Sequence, residues 1–382
     1  MATKAPVGNA GQPASPTPAD MQMSPAQVRD LFLQTALYSS LPMDPITWSQ
    51  GNTITIKVPQ TGLAHKIRLE VTLSITASAT VSTVNQRAPY NFITNIVYVD
   101  PSGVQRVNAS AYELALLDIV KDVTYDPSTG STATWVTNAN VAANVWNNPV
   151  PGTTPATVSF FIDIPIAMSE LDTRGSILLE SATSPSFIQI QMANTIIAAS
   201  GIEQPYTGAQ TISALSGTIQ PRYYFWVPTY VTIGGRKTLP LPVNDLQVIH
   251  EIMGLRNSAA LNTSTDNRIT LPTGRSYYRV LAQLVNNAAF VGGSTADVAG
   301  YKFQLDQRTT TLNESLQGYY TRIRQLLNRD LPLGVFLWDF TKRPFDSSHY
   351  GQLDAILTLG SNALTSPYVQ VTRECLYQAP QA

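Results

Sequence analysis

"TSPSFIQIQ" occupies residues 183–191, and "TSPYVQVT" occupies residues 365–372. Aligned on Phe187 and Tyr368, both follow Thr-Ser-Pro with an aromatic, a β-branched residue, Gln and a second β-branched residue. Such alternation is that of a short strand. The surroundings repeat as well. Before the first copy come a hairpin, "NFITNIVYVDPSGVQRV" with Asp100-Pro101-Ser102-Gly103 at its turn, a helical stretch, "SAYELALLDIVKDV", and the strands "VSFFIDIPI" and "GSILLE". Before the second come "YKFQLD", the helical "NESLQGYYTRIRQLLNRDLP", and the strands "GVFLWDFTKRP" and "GQLDAILTL". Each half therefore runs strand, helix, strand, strand, echo. One mismatch stands out: a strand in 222–233 follows the first echo, whereas the second half ends at its own. The echo thus marks either equivalent strands or neighbouring ones.

The elements carry their own start and stop signals. "KIRLEVTLSIT" alternates strictly, Ile67, Leu69, Val71, Leu73 and Ile75 against Arg68, Glu70, Thr72, Ser74 and Thr76, as in an antiparallel strand with one wet face. Ser110 and Glu113 form a capping-box signature, with Leu114, Leu117 and Val120 on one face. In the second helix Asn313 is the expected N-cap, Leu316, Tyr320, Ile323 and Leu327 form the stripe, and Pro332 lies past the end. Pro228 in "RYYFWVPTYVTI" predicts an edge strand. At the N-terminus, residues 1–23 are rich in Pro, Ala and Gly and read as a disordered arm. Ser24, Pro25 and Gln27 then open a helix with Val28, Leu31 and Phe32 on one face and Leu37 near its far edge.

Two sets of about eight short strands, each with a helix inserted, fit an all-β protein of two tandem eight-stranded jelly rolls, with short inserted helices and an N-terminal helix. The expected division is 1–44 for arm and amphipathic helix, 45–237 for the first roll and 238–382 for the second. An immunoglobulin-like sandwich fits less well, because the Cys…Trp…Cys pattern is missing.

Composition narrows the function. Charged residues make up 13% of the chain, about half the usual ~25%, and the net charge is −1. A low-charge surface suits contact with other protein, and no basic balance favours nucleic acid. Cys375 is the only cysteine, so no internal disulfide forms; in an apolar strand it reads as a core thiol. The single cysteine is compatible with a reducing cytoplasm, and no secretory signal or membrane-length apolar run is evident. His65, His250 and His349 are isolated, so no closely spaced pair suggests a metal site. Glu170 and Asp172 are close enough for a carboxylate pair but read as solvated. "RYYFW" (222–226) could stack sugars or bases, although alternation assigns half of it to the core. Arg322, Arg324 and Arg329 read as a solvated or subunit-facing helix face. No catalytic residue, metal or cofactor is expected.

The segments "IVYVDPSGVQR" (96–106), "SFFIDIPIAMSELDTRGSILLE" (159–180) and "DLPLGVFLWDFTKRPFDSSHYGQL" through "TRECL" resemble, in their order and spacing, the double jelly-roll major capsid proteins of tectiviruses. The resemblance implies a virion protein, not an enzyme. It implies homotrimers of pseudo-hexagonal outline that assemble, in the host cytoplasm, into an icosahedral shell around an internal membrane. Partners would be neighbouring capsomers and a penton protein at the vertices. The N-terminal helix, with Val28, Leu31, Phe32 and Leu37, would lie at the inner rim near the membrane or minor capsid proteins. The alternative from the residues is a tandem jelly-roll protein that binds or hydrolyses glycans.

Overall fold

The structure, a computed structural model, describes residues 23–121, 145–233, 235–257, 261–327, 331–362 and 364–378. The arm expected over 1–23 lies outside the described residues except for Met23. In chain order the main elements are α1 (Pro25–Thr35), β1 (Leu37–Pro42), β2 (Thr53–Lys57), β3 (Leu63–Ala77), β4 (Ile93–Val99), β5 (Gln105–Ala109), α2 (Ala111–Lys121), β6 (Val145–Asn147), β7 (Ala156–Pro165), β8 (Phe187–Met192) and β9 (Ile212–Val227). After the one-turn α3 (Val243–Leu246) come β10 (Val248–Asn257), β11 (Asp266–Leu271), β12 (Ser276–Asn286), β13 (Val298–Leu305), β14 (Thr309–Ser315), α4 (Leu316–Leu327), β15 (Val335–Asp339), β16 (Leu353–Leu359) and β17 (Tyr368–Gln378).

Strand order makes each half a jelly roll. In the second half, β10-β17-β12-β15 face β11-β16-β13-β14: strands 1-8-3-6 against 2-7-4-5. In the first, β1-β9-β3-β7 face β2-β8-β4-β5 in the same order, and β6 is an extra strand beyond β7. The alternation in β3 does what it promises. Ile67, Leu69, Val71, Leu73 and Ile75 are buried, and each such side chain contributes about 1.5–3 kcal/mol.

The rolls are not separate bodies. β5 of the first pairs in parallel with β10 of the second, Val107 beside Ile252 and Asn108 beside Met253. One sheet therefore runs from β2 in the first roll to β12 in the second. The first roll ends with β9 at Val227, and the second begins with β10 at Val248. β1 joins the first roll as an edge strand along β9, so this sheet starts at Leu37 rather than after residue 44.

Several sequence expectations need correction. The echo joins neighbouring strands: 183–191 leads into β8, seventh of its roll, while 365–372 leads into β17, eighth of the other. The miscount came from "GSILLE", where only Ile177–Leu178 is extended before a 3-10 turn. β8 is wet on one face, with Gln189 and Gln191 exposed, whereas β17 is covered on both. Asn313 is not a cap but lies within β14, opposite Lys302; Ser315 takes the N-cap place, its Oγ accepting from Gly318 N–H at 3.2 Å. In the α4 stripe Tyr319 is fully buried, and Tyr320 only partly. β9 is not an edge strand, since it runs between β1 and β3 and stops just before Pro228. Pro221 is tolerated inside it because its side of the backbone faces Met43, where β1 has ended and needs no further donor.

The hairpin and capping box form as the residues require. The Asp100 carboxylate accepts from Ser102 N–H, Ser102 Oγ, Val104 N–H and Arg106, and Gly103 takes φ +85° at the turn. Ser110 and Glu113 cap α2 reciprocally.

Candidate functional site

Two regions gather the side chains that could matter for assembly: the surface around α1, and the junction between the rolls. At α1 the capping box is complete: Ser24 Oγ accepts from Gln27 N–H, and Gln27 Oε1 from Ser24 N–H. Phe32 is fully buried in a small separate core with Leu63, Ala167 and Trp226, meeting Trp226 edge-on at 6.3 Å. Arg29 clamps Asp245 of α3 with two 2.6 Å bonds, and Thr173 donates to the same carboxylate. α1 is thus fastened to its own chain.

The four helix candidates part company here. Phe32 points inward, while Val28 and Leu31 are half-buried; Val28 borders an apolar groove with Met23, Leu241 and Val243. Leu37 is not on the helix, which ends at Thr35. It sits on β1 opposite Val227, 63% exposed. Replacing Phe32 by Ala is expected to loosen α1 locally. Its amides should exchange faster by about tenfold or more, while the main thermal transition moves little, because Phe32 packs in a small cluster apart from the main core. Hydrogen exchange read by mass spectrometry checks this.

At the junction, α2 is wedged between the rolls, and all its residues but Asp118 and Lys121 are buried. Glu113 Oε1 accepts from Thr372 at 2.6 Å and Gln370 at 3.0 Å, both on β17. Glu374 of β17 is the centre of the seam. Fully buried, it meets Lys121 of α2 at 2.6 Å, Arg279 of β12 at 2.7 Å and His250 of β10 at 3.1 Å. Those cations and the imidazole N–H hold its carboxyl well below the usual range despite burial. Burial pushes His250 down; its Nε2 faces the Glu374 carboxylate at 3.1 Å and its Nδ1 the Ile166 carbonyl at 3.3 Å. Gly175 closes the seam at φ +85°, its carbonyl accepting from Arg106.

On the far side of α2 lies a second ionic group. Asp163 of β7 accepts from Arg68 at 2.7 and 2.8 Å and from Lys66 at 2.9 Å. Tyr38 Oη and His65 Nδ1 are hydrogen-bonded at 2.6 Å, and burial lowers His65 to about 3. The Asp118 carboxyl is pushed up by burial and by the Asp163 charge, and its Oδ2 has no hydrogen-bond partner among the described residues. A raised carboxyl keeps its proton in the native state after the unfolded chain has lost it. Stability therefore falls as pH rises above about 4, until the native group ionises. Asp118→Asn is expected to remove that decline and to raise stability above neutral pH; urea titrations from pH 5 to 9 measure it.

The remaining sequence candidates do not converge. Glu170 is exposed, while Asp172 is held by Arg174, so the two form no catalytic pair. In "RYYFW", Tyr223, Phe225 and Trp226 are buried, and Arg222 and Tyr224 are half-exposed. Arg322 pairs with Glu314 at 2.8 Å and lies over Tyr301 and Tyr319; Arg329 is outside the described residues. Cys375 is fully buried, its thiol pushed up by burial and Glu251. Among the described residues no group of three or more His, Cys, Asp or Glu could hold a metal ion, and no helix is long and apolar enough to cross a membrane. Sequence reasoning missed Glu374, Lys121 and Gly175. Its one usable signal was an Arg-Glu pair, Arg373-Glu374, inside the closing strand.

Two eight-stranded rolls sharing one sheet, with a helix inserted between strands five and six of each, define a double jelly-roll protein. Solved structures share this fold: a chain of Sulfolobus Turreted Icosahedral Virus superposes with a TM-score of 0.65 at 15% identity, covering 89% of this chain and 91% of that one. A chain of the PBCV-1 virus capsid gives 0.56 at 11% identity, covering 89% and 94%. The family model of the N-terminal part of the P3 major capsid protein matches residues 26–231, and the chain belongs to that family. Major capsid protein P3 of Enterobacteria phage PRD1 is 23% identical over 361 residues, 88% of each chain.

Proposed function

We propose that this major capsid protein works as a homotrimer whose six jelly rolls form a pseudo-hexagonal building block of an icosahedral shell enclosing a membrane. The observation that carries the reading is the pairing of two equivalent rolls in one chain. Three copies then offer six similar lateral faces to six neighbours. Membership of the P3 family supports the capsid role, and the low charge of the chain suits repeated protein–protein contact without costly ion desolvation. Assembly takes place in the host cytoplasm, with a separate penton protein at the vertices.

The α1 end is the membrane-proximal rim, where minor capsid proteins also bind. Support comes from the apolar side chains left exposed there, Met23, Leu37, Val227, Tyr230 and Val243, rather than from a stripe along α1. Light scattering on the purified protein tests the trimer. Three chains of 41.5 kDa give about 125 kDa for a closed three-fold ring, whereas a 41.5 kDa monomer at high concentration overturns the reading.

A further inference from the structure

The last turn of α2 faces a choice of partners. Lys121, its final residue, reaches across the seam to Glu374 of β17 at 2.6 Å. Asp118 lies three residues earlier on the same helix, a spacing at which side chains of one helical face meet. Two carboxyl groups therefore compete for one ammonium. Glu374 holds it, while Oδ2 of Asp118 is shielded from solvent and has no hydrogen-bond partner among the described residues.

The other charges around Asp118 are already engaged. Asp163 of β7 sets a like charge beside it. On β3, Arg68 directs Nε and Nη2 to Asp163 at 2.7 and 2.8 Å and lies 3.9 Å over the Phe161 ring. Lys66 stands between Asp163 at 2.9 Å and Glu170 at 3.7 Å. Of these three cations, Lys121 pulls hardest on the Asp118 carboxyl, ahead of Lys66 and Arg68. The Lys121 side chain is 22% exposed, so its ammonium can move without crossing the core. His65 of β3 and His250 of β10 also lie near Lys121; burial, with help from the ammonium, pushes both down, and neither is charged above pH 7.

Glu374 can let Lys121 go. Its Oε1 also faces His250 Nε2 at 3.1 Å, and its Oε2 accepts from Arg279 of β12 at 2.7 Å, with Asp339 of β15 3.9 Å from that guanidinium. Each oxygen keeps a partner once Lys121 has left. An ionised Asp118 has no such reserve, and an unpaired carboxylate shielded from water is costly. Burial, then the Asp163 charge, push the Asp118 carboxyl up to about 8, so it is neutral at pH 6 and charged at pH 9.

We infer that Lys121 is a toggle between the rolls: it fastens α2 to Glu374 while Asp118 carries a proton, and turns back to Asp118 when that proton leaves. The tie across the seam is thus made on the acid side of the Asp118 titration and opened on the alkaline side. Glu113 keeps its bonds to Thr372 and Gln370 at either pH, so the start of α2 stays attached and only its last turn lets go. The protein loosens across its centre without unfolding, whether it is alone or assembled.

A double-mutant cycle reads the ion pair directly. Lys121→Met, Glu374→Gln and the double variant are unfolded in urea at pH 6 and at pH 9, in the parent and in an Asp118→Asn background. At pH 6 the two residues should be coupled by about tenfold or more in the unfolding constant. At pH 9 the coupling should vanish in the parent and persist with Asp118→Asn. Equal coupling at both pH values in the parent overturns the toggle. A loss at pH 9 that Asp118→Asn fails to prevent also overturns it, because another group would then drive the change. Hydrogen exchange gives a second reading that needs no substitution at the ion pair. After correction for the intrinsic rate, amides of 117–121 and 372–376 should lose protection between pH 6.5 and 9, those of 111–114 should not, and Asp118→Asn should abolish the loss. Unchanged protection of 117–121 in the unsubstituted protein overturns the inference.

Discussion

Replacing Glu374 by Ala is expected to cost the protein about 3–5 kcal/mol of stability, measured by urea or thermal denaturation at neutral pH. The figure is that of removing one partner from a buried ion pair, because the groups left behind stay desolvated and uncompensated. Here three are left: Lys121, Arg279 and the His250 N–H. The pH dependence distinguishes this cause from lost packing. Glu374 has a native value below its unfolded one, so its stabilisation is complete above the unfolded value of about 4.3 and is lost as pH falls through the native value. The gap between variant and parent should shrink over that acid range. His250 also titrates lower in the native state, and the unfolded chain binds its proton below about 6.5. Both proteins should therefore weaken with falling pH from that point, the parent continuing further down. A gap unchanged down to pH 2 would rule out the charge argument.

The second large effect is expected for Gly175→Ala. A Cβ there would stand 2.4 Å from the His250 Cβ and 3.1 Å from the His250 backbone nitrogen, so the first strand of the second roll would have to move. The left-handed φ of +85° adds about 1–2 kcal/mol for any L-residue, and overpacking typically adds about 1–3 kcal/mol. Gly175 itself carries the carbonyl that accepts from Arg106 at 2.7 Å. The expected result is loss of roughly 3 kcal/mol or more on those figures, together with faster proteolysis between the rolls. Gly103→Ala is the control, because its φ is also +85° but no heavy atom lies within 4 Å of the added carbon. It should show the backbone cost alone.

Much of the fold was legible because local rules and tertiary needs agreed. β3 alternates because one face is core and the other wet; α2 starts at Ser110 because Glu113 can close the box; the Asp100 turn satisfies its own donors. Legibility failed where tertiary pairing overruled a local cue. Asn313 has the chemistry of a cap, yet Leu312 pairs with Phe303, and β14 continues to Ser315. Leu37 follows the helical stripe, but pairing with Val227 takes it into a strand. The echo misled because two strands of like composition can be wet on one face or buried on both, and composition alone does not say which sheet covers them. The junction was invisible for a related reason: Lys121, Gly175, His250 and Glu374 are scattered along the chain; the pairing of β10 with β17 sets His250 near Glu374, and the parallel pairing of β5 with β10 joins the rolls around them.

That pairing also bears on how the chain is made. While the ribosome is still extending the chain beyond Val227, the first roll has all its own strands, but α2 lacks the cover that β17 provides and the outer edge of β5 lacks β10. The nascent first roll thus presents an apolar helix and an unpaired strand edge together, the surfaces that invite misassociation during synthesis. A chain stopped between the rolls should need a holding chaperone that the finished protein does not. Because β17 follows every other described strand, the centre is sealed only after the rest of the second roll has been made.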